Sequence, residues 1–116
     1  MDINEDFIKA CEAGDLALAK LLLDNGADVH ADNDDALRWA SRNGHIKVVK
    51  MLLDAGADVH ARDNEAIRWA SDDGRLKTVK MLLKHGADVH AKDDYSLRWA
   101  RYNGHTKVVK LLQSNM

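Results

Sequence analysis

Proline is absent from all 116 residues, which favours helix and argues against collagen-like or proline-rich segments. Cysteine occurs once, at Cys11, so no internal disulfide is available and nothing points to an oxidising compartment. No apolar run approaches the roughly 20 residues that span a bilayer. The opening stretch, MDINEDFIKAC, is acidic and lacks the basic-then-apolar order of a secretory signal. A large excess of one sign of charge is missing too: a net charge of −2 gives no overall bias toward nucleic acid or anionic lipid. The reading is a soluble chain of the cytoplasm or nucleus, without membrane association.

Catalytic signatures are also lacking. There is no Gly-rich phosphate loop, no HExxH and no GxSxG. What remains is the composition of a folded protein, with 46% hydrophobic and 31% charged residues in a length that suits one domain over 1–116.

The strongest feature is repetition. GADVHA stands at 26–31, 56–61 and 86–91, and a fixed period in this range points to a repeat architecture. A slide of thirty residues lays ALRWASRNGHIKVVKMLLDAGADVHA (36–61) over AIRWASDDGRLKTVKMLLKHGADVHA (66–91), then over SLRWARYNGHTKVVKLLQ (96–113). The first thirty residues fit more loosely, with both glycines aligned. The expected units are 1–30, 31–60, 61–90 and 91–116.

Each unit reads as two helices. The first runs from Asp35 to about Asn43, with Asn4, Asp34, Asn64 and Asp94 as the expected N-cap column. It stops at Gly14, Gly44, Gly74 and Gly104. The second runs from His45 to Ala55, with Ile46, Val49, Leu52 and Leu53 on one face and Lys47, Lys50 and Asp54 on the other. A pair this short cannot bury its own apolar face, whereas stacked pairs can, so the expectation is an all-α helical solenoid. The end units substitute polar residues: Lys9 stands in the column of Trp39, Trp69 and Trp99, Gln113 in that of Leu23, Leu53 and Leu83, and Arg101 in that of Ser41 and Ser71. They read as capping units, so that the chain begins and ends where the stack does.

These units resemble the ankyrin repeat along the whole chain. NGHIKVVKMLLDAGADV (43–59) looks like the family's second helix and its exit into the next unit. The start of the first helix departs from the family. DALRWAS, EAIRWAS and YSLRWAR replace the Thr-Pro-Leu-His box, Arg38, Arg68 and Arg98 stand where the histidine would be, and the loop is shorter. The protruding hairpins are therefore expected to be stunted or replaced by tight turns. The thirty-residue RWAS form looks like the ankyrin arrays abundant in giant-virus genomes, although a microbial or engineered relative would carry the same pattern. Units two and three agree at 18 of 30 positions, which looks like drift rather than one idealised consensus. The resemblance implies a non-enzymatic adaptor or inhibitor, monomeric, with no cofactor and with a protein partner, a host protein if the chain is viral.

Several residues invite other chemistry. His30, His60 and His90 recur one unit apart. Packed helices lie about 8–10 Å apart, and zinc ligands must converge at roughly 2 Å, so no shared metal is expected. The acidic run DADNDDA lacks the glycine and glutamate positions of an EF-hand. Cys11 shares a column with Ser41, Ser71 and Arg101 and reads as a packed small residue. Lys20, Lys47, Lys50, Lys77, Lys80, Lys107 and Lys110 form an outer stripe that reads as a solvated face. The rival reading is nucleic-acid association through that stripe, and a second rival is a bare scaffold with no natural partner. The tryptophans are absent from the first unit, which argues that they bury against a neighbour. On that reading Trp69→Ala costs on the order of 3–5 kcal/mol.

Columns that vary between units are free to meet a partner. These are Asp32/Arg62/Lys92, Asp35/Glu65/Tyr95, Arg42/Asp72/Tyr102, Asn43/Asp73/Asn103 and His45/Arg75/His105. The protein-binding residues expected from them are Asp35, Arg42, Asn43, Arg62, Glu65, Asp72, Asp73, Lys92, Tyr95, Tyr102 and Asn103. In ankyrin-type stacks these regions resemble the concave recognition surface. Tyr95 and Tyr102 are of the residue type enriched at interface hot spots.

Overall fold

A computed structural model of the chain describes residues 2–116. Among them are four helix pairs: α1 (Ile3–Ala13) with α2 (Leu16–Asp24), α3 (Ala31–Arg42) with α4 (Ile46–Asp54), α5 (Ala61–Asp72) with α6 (Leu76–Lys84), and α7 (Ala91–Tyr102) with α8 (Thr106–Ser114). The pairs stack along one axis into a body of 41 × 20 × 20 Å.

Sequence periodicity explains both layers. In α4, Val48, Val49, Leu52 and Leu53 are buried while Lys47, Lys50 and Asp54 are exposed, a single apolar stripe at helical spacing. In the inner layer the column Phe7, Leu37 and Ile67 is fully buried, and beside it runs Ala10, Ala40, Ala70 and Ala100. Alanine lets neighbouring backbones approach. The inner helices α1, α3, α5 and α7 accordingly pack closely along the stack, while the outer helices touch one another far less. A stack tighter on one side than the other must curve, and the inner helices lie on its concave side. Each fully buried leucine or isoleucine contributes about 1.5–3 kcal/mol by leaving water.

The stop between the helices of a pair requires glycine. Gly74 has φ +71°, and a Cβ there would lie 2.6 Å from Nδ1 of His105 in the next pair. The left-handed conformation and the close approach both exclude a side chain.

The turn into each inner helix differs from the expectation. Asp34, Asn64 and Asp94 are not N-caps. Together with the two residues before them they are left-handed, at φ of 53–60°, in the triplets 32–34, 62–64 and 92–94. The helical course of α3 therefore resumes at Asp35. Asn4 lies inside α1, whose N-cap is Asp2. The side chains of this column do other work. Asn4, Asp34 and Asn64 accept through Oδ1 from the backbone N–H of Asp28, Asp58 and Asp88, at 2.8, 3.0 and 2.8 Å. They bond forward to the loop that leaves their own helix pair, rather than capping their own helix.

That loop is GADVHA. Its aspartate takes the forward bond on its N–H and accepts the histidine N–H two residues on, at 2.9 Å in all three copies. Val59 and Val89 are buried. The motif recurs because the joint recurs.

Candidate recognition face

Three left-handed residues in succession are costly for any side chain but glycine, on the order of 1–2 kcal/mol each, less for Asp and Asn. The arginine of RWAS offsets this. Arg38 donates from Nε to the Asn33 carbonyl at 3.2 Å and from Nη2 to that of Asp32 at 3.1 Å. Arg68 does the same to Asp63 and Arg62, each at 2.9 Å. Arg98 repeats it with Asp93 and Lys92 at 2.9 and 3.1 Å. A rigid fork of donors matches two successive carbonyls in a way that histidine could not.

With the turn clamped, each inner helix presents positions i, i+4 and i+7 on one side, which lie on one helical face. These are Glu5, Lys9 and Glu12; Asp35, Trp39 and Arg42; Glu65, Trp69 and Asp72; and Tyr95, Trp99 and Tyr102. Two of the expected columns thus flank the tryptophans on the concave side.

The tryptophans themselves are not core residues. Trp39 and Trp69 are half-buried, and Trp99 is 38% exposed. The inner-helix core is closed beneath them by Leu37, Ile67 and the alanine column, so the indoles lie over the inner helices as a ladder. Trp39 meets Trp69 at 5.2 Å between ring centres, while Trp99 packs with Tyr95 at 5.9 Å and Tyr102 at 5.3 Å. Guanidinium groups lie on this ladder. Arg42 is 5.5 Å from Trp39 and 5.1 Å from Trp69, Arg38 is 5.8 Å from Trp69, and Arg68 is 5.1 Å from Tyr95. Trp69→Ala is accordingly expected to cost about 2–3 kcal/mol, the sum of partial burial, the Trp39 ring contact and the guanidinium contacts of Arg38 and Arg42. Equilibrium urea unfolding checks it, and a loss above about 3 kcal/mol would return Trp69 to the core.

Several of the expected binding residues are tied within the chain. Asp35 Oδ1 accepts from Arg38 at 2.8 Å, and Glu65 accepts from Arg38 and lies 3.9 Å from Arg68. Arg42 is 3.5 Å from Asp73, and Lys92 is 3.6 Å from Asp63. Asn43 donates to the Glu12 carbonyl at 3.1 Å, and Asn103 to that of Asp72 at 3.1 Å. His45 and His105 sit 2.9 Å from the same two carbonyls, while Arg75 donates to the Arg42 carbonyl at 3.1 Å. Arg62 and Asp73 are exposed, and Tyr102 is 80% exposed. The face is therefore a mosaic: some varying residues hold the joints, and others are open to solvent.

The other candidates fall outside this face. His30 and His90 lie 3.0 and 2.6 Å from the carboxylates of Asp34 and Asp94, and His60 lies 3.0 Å from the amide oxygen of Asn64. Each histidine thus reaches its own turn. The acidic run supplies the left-handed turn. Among the described residues no helix is long and apolar enough to cross a membrane. On the opposite side, Lys50, Lys77, Lys80, Lys84, His85 and Asp54 line a groove of about 390 Å³ between α4 and α6, with Lys50 2.8 Å from Asp54.

Cys11 is fully buried, and burial pushes its thiol up to about 12. Only the thiolate reacts, so iodoacetamide at pH 8 should label the native protein about a thousandfold more slowly than the urea-unfolded chain. Mass spectrometry of timed samples gives the ratio, and comparable rates would mean that Cys11 is reached without unfolding.

Two features were not read from the sequence. The arginine fork could have been suspected from an Asp/Asn-rich triplet followed by arginine four residues after the triplet's last residue. The ladder was discernible from the i, i+4, i+7 spacing once the first helix was placed.

A curved stack of helix pairs with a concave inner layer is a repeat solenoid. Family models of ankyrin repeats match residues 7–63, as ankyrin repeats (3 copies), and residues 67–113, as ankyrin repeats (many copies). The chain belongs to the ankyrin-repeat family. A comparison with curated proteins finds no match. Ankyrin repeats are in general protein–protein interaction modules.

Proposed function

We propose that this chain is a non-enzymatic adaptor or inhibitor that holds a protein partner across the concave face of its inner helices. It acts as a monomer of four units, 1–30, 31–60, 61–90 and 91–116, in the cytoplasm or nucleus. The observation that carries the reading is the aromatic ladder flanked by the varying columns. Interface cores are enriched in Trp, Tyr and Arg, and those residue types lie together here, partly exposed, along a body 41 Å long. Such a length accommodates a standard interface of about 800 Å² per partner. Asp72, Tyr95, Tyr102 and Asn103 lie at the more exposed end of this face. Arg62, Asp73 and Lys92 extend it along its edges. Asp35, Arg42, Asn43 and Glu65 shape it through their internal bonds.

The lysine groove between α4 and α6 favours a second reading, association with a polyanion such as nucleic acid. A pull-down from the source cell separates the two. Three baits of equal helicity are compared: wild type, Arg42→Ala/Asp72→Ala/Tyr102→Ala, and Lys50→Gln/Lys77→Gln/Lys80→Gln. Proteins lost only with the first variant support the concave face. Material lost only with the second, and shed steeply as salt rises, supports the polyanion reading. Capture unchanged by either variant contradicts both.

A further inference from the structure

Successive pairs repeat one geometry, so a side chain in one joint marks where the same chemistry fits in the next. In the joint between the second and third pairs that side chain is Arg42. Its guanidinium carbon lies 5.5 Å from the Trp39 ring centre and 5.1 Å from that of Trp69, and Nε is 3.5 Å from Asp73 Oδ2. A planar cation lies against planar rings with a carboxylate at its edge.

One joint further on, both halves of this arrangement change. Asp72 stands in the column of Arg42, and Asn103 in that of Asp73. Aromatic rings remain, with Trp99 38% and Tyr102 80% exposed. Asp72 is held in place. Asn103 Nδ2 donates to its Oδ1 at 2.6 Å and to its carbonyl at 3.1 Å, and His105 Nε2 lies 2.9 Å from that carbonyl. A carboxylate can accept further hydrogen bonds beyond the one from Asn103. Three arginines near the joint are already engaged: Arg42 with Asp73, Arg98 with the carbonyls of Lys92 and Asp93, and Arg68 with those of Arg62 and Asp63 and, at 5.1 Å, with the Tyr95 ring. In the second joint Arg42 fills this column beside the rings, whereas in the third the column holds an oriented acid, bonded to the residue that follows the exposed Tyr102.

We propose that the joint between the third and fourth pairs takes an arginine side chain from an extended segment of the partner, its guanidinium bonded to Asp72 and stacked on Trp99 and Tyr102. Arginine fits better than lysine because its flat, weakly hydrated cation can hydrogen-bond a carboxylate and stack on a ring at once. This rests on the concave-face reading and narrows it to one feature of the partner.

The test uses blocked pentapeptides, Gly-Arg-Gly-Arg-Gly and its lysine and citrulline counterparts, titrated into the whole chain and followed at the three indole N–H resonances. Charge-assisted and stacking contacts together predict that the arginine peptide binds about tenfold more tightly than the citrulline peptide and severalfold more tightly than the lysine one. The Trp99 signal should shift most. Asp72→Asn, which keeps the shape and the Asn103 partner, should weaken arginine binding about tenfold, and Tyr102→Ala should weaken it severalfold. Asp24→Asn, which removes an exposed carboxylate from the outer helix α2, should leave it within a factor of two. Equal binding of arginine and lysine peptides, indifference to Asp72→Asn, no detectable binding, or a largest shift at Trp39 each overturns the proposal. If a partner is still lost with the triple concave variant while any of those results holds, the concave-face reading stands and only the arginine seat falls.

Discussion

Arg38→Ala should lower the free energy of unfolding by about 3–5 kcal/mol, the range for removing one partner of a buried ion pair. Arg38 is 5% exposed and serves four acceptors. Two are the carbonyls of Asn33 and Asp32, at 3.2 and 3.1 Å, in the left-handed turn. The others are the carboxylates of Asp35 at 2.8 Å and of Glu65 in the next pair. Alanine would leave the turn without its clamp and Glu65, whose side chain is only 14% exposed, without its closest cation. The informative control is Arg98→Ala. Arg98 makes the same two carbonyl bonds, but it is exposed and belongs to the last pair. Water can replace those bonds, so its loss should cost about 1 kcal/mol. Arg38→Lys should recover less than half of the deficit, because a single ammonium cannot span both carbonyls and both carboxylates. Urea unfolding followed by far-ultraviolet circular dichroism measures all three. Equal costs for Arg38→Ala and Arg98→Ala would show that burial does not set the value of the fork.

Phe7→Ala should cost a similar amount, about 3–5 kcal/mol, through transfer and cavity terms. Phe7 is fully buried in α1 beside Ile8, Ala10 and Cys11, and it heads the column that continues as Leu37 and Ile67. A stack is stabilised by each pair and by its contacts with neighbours. Among the described residues the first pair packs against one neighbouring pair only, so a cavity there should release α1 and α2 before the rest unfolds. Hydrogen exchange should rise over 3–24 ahead of 61–114. The matching control is Leu97→Ala, in the same column at the opposite end, where the side chain is only half-buried. Its cost should be well under that of Phe7→Ala. A Phe7→Ala loss below about 1.5 kcal/mol would mean that the site collapses around the smaller residue.

Fold and face were legible in the sequence to different degrees. The thirty-residue period, the glycine stops and the amphipathic face of α4 all express local rules, helical spacing and backbone freedom, which a sequence displays directly. The columns flanking the tryptophans vary between units, yet variation does not separate open residues from those, such as Glu65 and Arg42, whose bonds reach across a joint. The placement of the indoles was not legible. Absence from the first unit suggests burial, but Leu37, Ile67 and the alanine column already close the inner layer beneath them, and that is known only when the helices are placed.

The remaining differences have the same origin. Asp34 and Asn64 look like caps, since the residue type suits a helix start. Their oxygens nevertheless bond Asp58 and Asp88, 24 residues on. Arg38 looks like a substituted histidine, yet it clamps a left-handed turn and reaches Glu65 across a joint. The sequence by itself determined the family, the helix pairs and the repetition of one joint, because each depends on neighbours in the chain or on a period. The tertiary structure alone decided which polar residues hold those joints and which remain exposed to solvent. That depends on side chains about thirty residues apart meeting in space, where an exposed charge and a buried one carry the same letter.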